Sequence, residues 1–245
     1  MANSLEDSFN FVLDKGELWF GAFRRSDAVA ERLFTDHSTP RERVRAATTL
    51  WFAAFFLSIV IGSPIYYRYG LRLDSLGFHL CSVLAQYCSL FAITWCFHRG
   101  LKTYGVRSSL FDTFVLQTTV AAGLAPLFTL ATLPAKMRML DILRHPGAVK
   151  PPLASALGQV LGHSVRRSGV LEIADMAALP VIIALLALGA ARLVPILTKH
   201  YAADPWRVIR ALAFASAILA PLPILGGAIV EVVLCHSFTP DNPTP

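Results

Sequence analysis

Charged residues are scarce in this chain and unevenly spread. They make up 16% of its 245 residues, where soluble domains carry about a quarter. None falls in 46–67, 75–98, 113–135 or 211–230, runs of 22, 24, 23 and 20 residues. A fifth segment, 176–198, is interrupted by Arg192 alone. About 20 apolar residues carry a helix across a bilayer core. An ordinary soluble domain is therefore excluded. Open sheets are excluded at that depth too, because lipid cannot satisfy their edge groups. The expected fold is an all-α integral membrane protein with five spans, near 46–67, 75–98, 109–135, 176–198 and 208–234.

Other absences narrow the function. Four cysteines, Cys81, Cys88, Cys96 and Cys235, sit in or at the ends of expected spans. Without convergent spacing they read as small buried apolar residues, not as a disulfide or metal framework. No GxSxG, HExxH, P-loop or GxGxxG motif occurs, and the seven histidines are scattered singly. No expected span centre holds an aspartate, which removes an aspartyl intramembrane protease. An enzyme acting on lipid would need a nucleophile or a metal cluster at one interface, and none can be assembled. No catalytic, cofactor-binding or metal-binding residue is nominated, and the chain is not expected to be an enzyme. A cleavable leader is not expected either, since the first 45 residues carry eight acids and seven Lys/Arg.

The net charge of +6 reads first as a topology signal and not as a nucleic-acid footprint. With the N-terminus inside, the inside segments hold seven, three and four Lys/Arg, Arg192 included, out of 22 in the chain. That majority favours a cytoplasmic N-terminus and an outside C-terminus. Residues 1–45 are expected to be a cytoplasmic amphipathic segment and 46–235 the membrane domain, followed by a disordered, proline-rich tail at 236–245. Within the first segment, Phe9, Val12, Leu13, Phe20 and Phe23 follow helical spacing, with Trp19 and the Arg24–Arg25 pair suited to a headgroup boundary. This helix lies on the membrane face or packs on the protein's own surface. Thr39, Pro40 and Glu42 announce the first span as a capping box with proline at the first helical position. Leu153, Leu157, Val160 and Leu161 predict a second amphipathic stretch over 151–165, between spans three and four.

Polar residues inside the spans are the candidates for function. On span two, His79, Ser82, Gln86 and Ser89 share one face, as bundle glue or as a solute path. Pro221 and Pro223 break span five, a device that binding sites in transporters also use. Arg192 and Glu231 are charges within span boundaries. Their depths differ, so they are not paired with one another. Depth instead allows Arg192 to approach Asp112, and Glu231 to approach His79, Arg68 or Arg72. Snorkelling is the simpler alternative for Arg192.

The turn "HRGLKTYGVRSSLFDTF", His98 to Phe114, joins spans two and three on the inside. Arg99, Lys102 and Arg107 are the positive charges such a turn should carry, and with Arg24 and Arg25 they are candidate contacts for lipid phosphate or a partner. Gly100 and Gly105 permit unusual backbone. Ser108 or Ser109 can cap the next helix, with Asp112 in its first turn. His98, Leu101, Lys102, Tyr104–Gly105, Ser108–Ser109 and Asp112–Phe114 together resemble the turn of the Ypt-interacting-protein (Yip) family of five-span membrane proteins. The family's double glycine is here Gly105–Val106. The resemblance implies a non-enzymatic membrane protein. Eukaryotic members bind small GTPases of vesicle traffic and help shape membranes, whereas bacterial members generally have no assigned activity, and GTPase binding is not carried over to this chain. The Ala-, Arg- and Leu-rich style points to a bacterial inner membrane. The expectation is a scaffold or accessory protein whose partners are lipids and another membrane protein, with no nucleic acid and no cofactor. The alternative is a small transporter or channel using His79, Gln86 and the Pro221–Pro223 break.

Overall fold

The computed structural model describes residues 17–68, 76–143 and 173–219 and positions 226, 229, 230 and 233; side chains are described over 17–62, 84–133 and 180–219 and at those four positions. The expected stretch at 151–165, the tail, Pro221 and Pro223 lie outside these residues, as do the side chains of His79 and Glu231. Among the described residues the regular elements are all helices: α1 (17–24), α2 (Ser26–Asp36), α3 (Pro40–Arg68), α4 (Leu76–Thr103), α5 (Leu110–Leu143), α6 (Ile173–Tyr201) and α7 (Pro205–Phe214), the last running into a π turn, Ala215–Leu219. Three stretches, Pro40–Gly62, Leu110–Leu133 and Pro180–Tyr201, are long and apolar enough to cross a membrane. At 1.5 Å per residue the 29 residues of α3 and of α6 reach about 43 Å, and the 34 of α5 about 51 Å.

Helix starts and stops follow local chemistry. At the head of α3 the Thr39 and Glu42 side chains each accept from the other's backbone N–H at 3.2 Å, which is the capping box expected there. Ser109 Oγ accepts from Asp112 N–H at the head of α5. Asp204 does the same for Arg207 at the head of α7, where Pro205 takes the first helical position. Helix α4 ends in a Schellman turn: Val106 N–H donates to Leu101 O at 2.9 Å and Gly105 N–H to Lys102 O at 3.0 Å. Gly105 carries the φ of +76° that this ending needs. Leu101 and Val106, the residues the motif brings into apolar contact, are both buried. At 215–219 the ladder widens into the π turn, and four residues further on Pro221 and Pro223 have no N–H to offer the carbonyls of Ala217 and Leu219.

Helix α5 is the axis of the fold. The buried share of its apolar stretch is 61%, against 28% for α3 and 22% for α6. It packs on α2, α3, α4 and α6. On one side Leu116, Val120 and Leu124 meet Leu101 of α4, Leu193 and Leu197 of α6 and Val208 of α7. On the other, Val115 and Ala122 meet Ala22 of α1, Leu33 of α2 and Leu50 of α3. Small residues allow two close approaches. A Cβ on Gly100 would stand 2.6 Å from the Ala211 carbonyl of α7, and one on Gly123 would stand 2.6 Å from the Ala22 carbonyl of α1. Of the two readings of the aromatic N-terminal helix, packing on the protein's own helices describes residues 17–24. Ala22 is 0% exposed, and Trp19 Nε1 donates to Ala122 O at 3.0 Å.

Candidate functional site

Polar side chains gather at the end of the bundle where α3 and α5 begin and α6 ends. Asp112, in the first turn of α5, stands in the middle. Its Oδ1 accepts from Arg43 Nη1 of α3 at 3.1 Å, and its Oδ2 lies 3.8 Å from His200 Nε2 of α6. The two side chains of the Arg43–Asp112 pair are only 16% and 21% exposed, so water screens them little. Phe34 of α2 completes the cluster. Arg43 lies over its ring at 4.7 Å and the His200 ring at 4.4 Å. Beside it the Tyr201 hydroxyl bonds Thr113 Oγ1 at 2.8 Å and donates to Ser109 O at 3.1 Å. In the adjoining turn Ser108 Oγ lies 3.0 Å from His98 Nδ1. Asp112 and Tyr201 thus tie α3, α5 and α6 at one level, Ser108 fastens the turn to α4, and α2 joins through the Phe34 ring.

Arg192 takes a different partner from the one its depth suggested. It lies nine residues before Tyr201 on α6, about 13 Å from that helix end. Its guanidinium donates to the Phe23 carbonyl and lies 5.7 Å from the Phe23 ring. Phe23 is in the last turn of α1, where carbonyls have no helical donor, and arginine supplies one. Asp112 goes to Arg43 and His200 instead. The indole of Trp19 answers a similar need. Pro126 has no N–H to return to Ala122 O four residues earlier, and Trp19 Nε1 fills that place. Carbonyl partners of this kind leave no mark in a count of charges. A proline inside a span, four residues after the carbonyl it orphans, is the signal that could have found the second.

Between the start of α2 and α6 lies an open cleft of about 600 Å³. Arg24, Arg25, Arg192 and Lys199 line it, with Asp27 and Glu31 opposing them. Lys199 is taken by Glu31 at 3.1 Å. Ser26, at the first position of α2, lines the same cleft and is 3% exposed, with no hydrogen-bond partner for its hydroxyl among the described residues. The Arg25 side chain does not cap α2, whose first two residues, Ser26 and Asp27, line the cleft.

The remaining candidates are dispersed. Arg99, Lys102 and Arg107 are exposed, Arg99 lying over the Trp95 ring at 5.2 Å. Gln86 is half-buried, and Ser89 on its stripe donates to its own helix at Ala85 O. The densest buried polarity is on α5, in Thr113, Gln117, Thr118 and Thr119. Gln117 Oε1 and Thr118 Oγ1 have no partner among the described residues. No group of three or more His, Cys, Asp or Glu that could hold a metal occurs among the described residues. Compared with protein-family models, curated proteins and solved structures, the chain matches none.

Proposed function

We propose that this chain is a non-enzymatic membrane scaffold or accessory protein with five spans, a cytoplasmic N-terminus and an outside C-terminus, working through contact with another membrane protein. Helix α4, 28 residues long, and the charge-free run 211–230 that begins in α7 are the two spans of this reading beyond the three apolar stretches. The Yip-like turn between α4 and α5 supports the same architecture. The observation that carries the contact role is an aromatic face between α3 and α4. Phe52 and Phe56 of α3 and Leu84, Phe91 and Trp95 of α4 all point outward. Tyr87 forms the floor. Its ring stacks on Phe52 at 6.3 Å and meets Phe114 edge-on at 5.9 Å, while its hydroxyl lies 3.2 Å from Thr48. Aromatic side chains held rigid in this way give large contact area at low entropy cost.

The test is photo-crosslinking in native membranes with a benzophenone side chain at Phe56, compared with one at Ile183 on α6, followed by purification and mass spectrometry. A single stoichiometric product at position 56, absent at 183 and lost on Phe52→Ala with Phe91→Ala, is expected. A chain that purifies alone, without crosslinks, sinks the accessory role.

The transport reading draws on one observation. Gln117 and Thr118 present oxygens without a partner among the described residues inside the central helix, the position where a solute path would need acceptors. Solute flux through the reconstituted protein that Gln117→Leu abolishes, with the fold intact, would favour it over the scaffold.

A further inference from the structure

We infer that the cleft between α2 and α6 seats the phosphate of an anionic membrane phospholipid, whose acyl chains lie along the exposed face of α6. This rests on the membrane reading above and adds a ligand to it.

Four features converge on an anion. The first turn of α2 lines the cleft with N–H groups that the Arg25 side chain does not cap, and a helix N-terminus carries the positive end of the helix dipole. Ser26, a residue 3% exposed, lines the cleft, and its hydroxyl is unbonded among the described residues. Arg24 and Arg25 flank it, and neither guanidinium is paired with a described residue. Arg192 closes the far wall and spends one N–H on the Phe23 carbonyl, keeping others free. With Lys199 matched to Glu31, three arginines face one free carboxylate, Asp27. The surplus suits a singly charged phosphodiester, which arginine grips in two-pronged fashion.

The surroundings select a lipid over a free ion. Ile183, Ala187, Ala191, Pro195 and Lys199 are each four residues apart on α6, so they form one row, and all five are exposed. Its last three members belong to the cleft wall. The cleft therefore opens sideways onto an apolar ridge and does not close over its occupant. Between 176 and Arg192 α6 has 16 uncharged residues, about 24 Å of helix, close to one hydrocarbon core. Arg192, inside the expected span 176–198 and toward its inner end, then reaches headgroup phosphates by snorkelling, which spares its guanidinium burial in hydrocarbon.

The test is native mass spectrometry of the full chain in neutral detergent, titrated with short-chain phosphatidylglycerol, phosphatidylcholine or inorganic phosphate. Phosphatidylglycerol should bind at one site, ahead of phosphatidylcholine. Arg24→Gln with Arg25→Gln should weaken it by about thirtyfold. Ala191→Trp, which fills the cleft and keeps every charge, should weaken it as well. Arg207→Gln with Arg210→Gln, an equal charge loss on α7, should leave it unchanged. An equal loss from that pair, or no loss from the first, overturns the site. Inorganic phosphate binding as tightly as the lipid overturns the lipid seat. Resistance of each variant to carbonate extraction from membranes checks insertion separately. An inserted chain indifferent to phosphatidylglycerol therefore fails this inference and leaves the scaffold reading standing.

Discussion

Asp112 joins three helices through one carboxylate, and this decides what its loss should cost. Removing it leaves the Arg43 guanidinium, 16% exposed, against Phe34 with only a long 3.5 Å bond from Nε to the Thr39 carbonyl. Asp112→Ala should therefore destabilise the bundle by about 2 kcal/mol, read as unfolding in mixed micelles. Arg43→Met in the same background should recover part of that loss, because the stranded charge has gone. If the two changes simply add, the pair is not coupled and the clamp is incidental. Residue-scale chemistry was legible in the sequence wherever partners lie within a few positions of one another. The Thr39–Glu42 box, the Ser109 cap and Gly105 are all of this kind. Ala202 shows the limit. It takes a φ of +47° at the end of α6, with Ala203 N–H returning to Thr198 O at 3.1 Å. The ending is the same one Gly105 makes, without the glycine that would have announced it. Arg43 and Asp112, 69 positions apart, are individually visible, but which cation reaches the acid depends on how the helices are set side by side.

At the scale of elements, the span-like runs were legible because their signal is the long absence of charge, and α3, α5 and α6 cover three of them. The placement of α1 was not. Its amphipathic pattern suits a lipid face and a protein face equally. The choice falls to contacts that the pattern does not encode: a glycine at 123 that admits the α1 backbone, and a carbonyl at Ala122 that Pro126 leaves without a donor. This account makes the two residues interdependent. Trp19→Phe should lower stability by about 1 kcal/mol and raise amide exchange across 17–24. Pro126→Ala restores an N–H four residues after Ala122 and should abolish the effect of Trp19→Phe when the two are combined. An equal cost of Trp19→Phe in both backgrounds would mean the indole bond is not what holds α1.

For the whole molecule, the ends of the helices settle which groups must share a side. The Arg43–Asp112–His200 contacts put the start of α3, the start of α5 and the end of α6 at one level. The turns at Ser38, Arg107 and Asp204 then belong to a single face of the bundle, and that face carries Arg41, Arg45, Lys102, Arg107 and Arg207. On the proposed orientation this face lies in the cytoplasm. In a background with the four native cysteines replaced, Ser38→Cys, Arg107→Cys and Asp204→Cys should all be shielded from a membrane-impermeant thiol reagent in intact cells. All three should label once the membrane is opened. Labelling of all three from outside would invert the orientation and move the cleft of Arg24, Arg25 and Arg192 to the other leaflet. Labelling of only one or two would break the bundle's common level, which the Asp112 clamp requires, and with it the membrane reading of α3, α5 and α6 together.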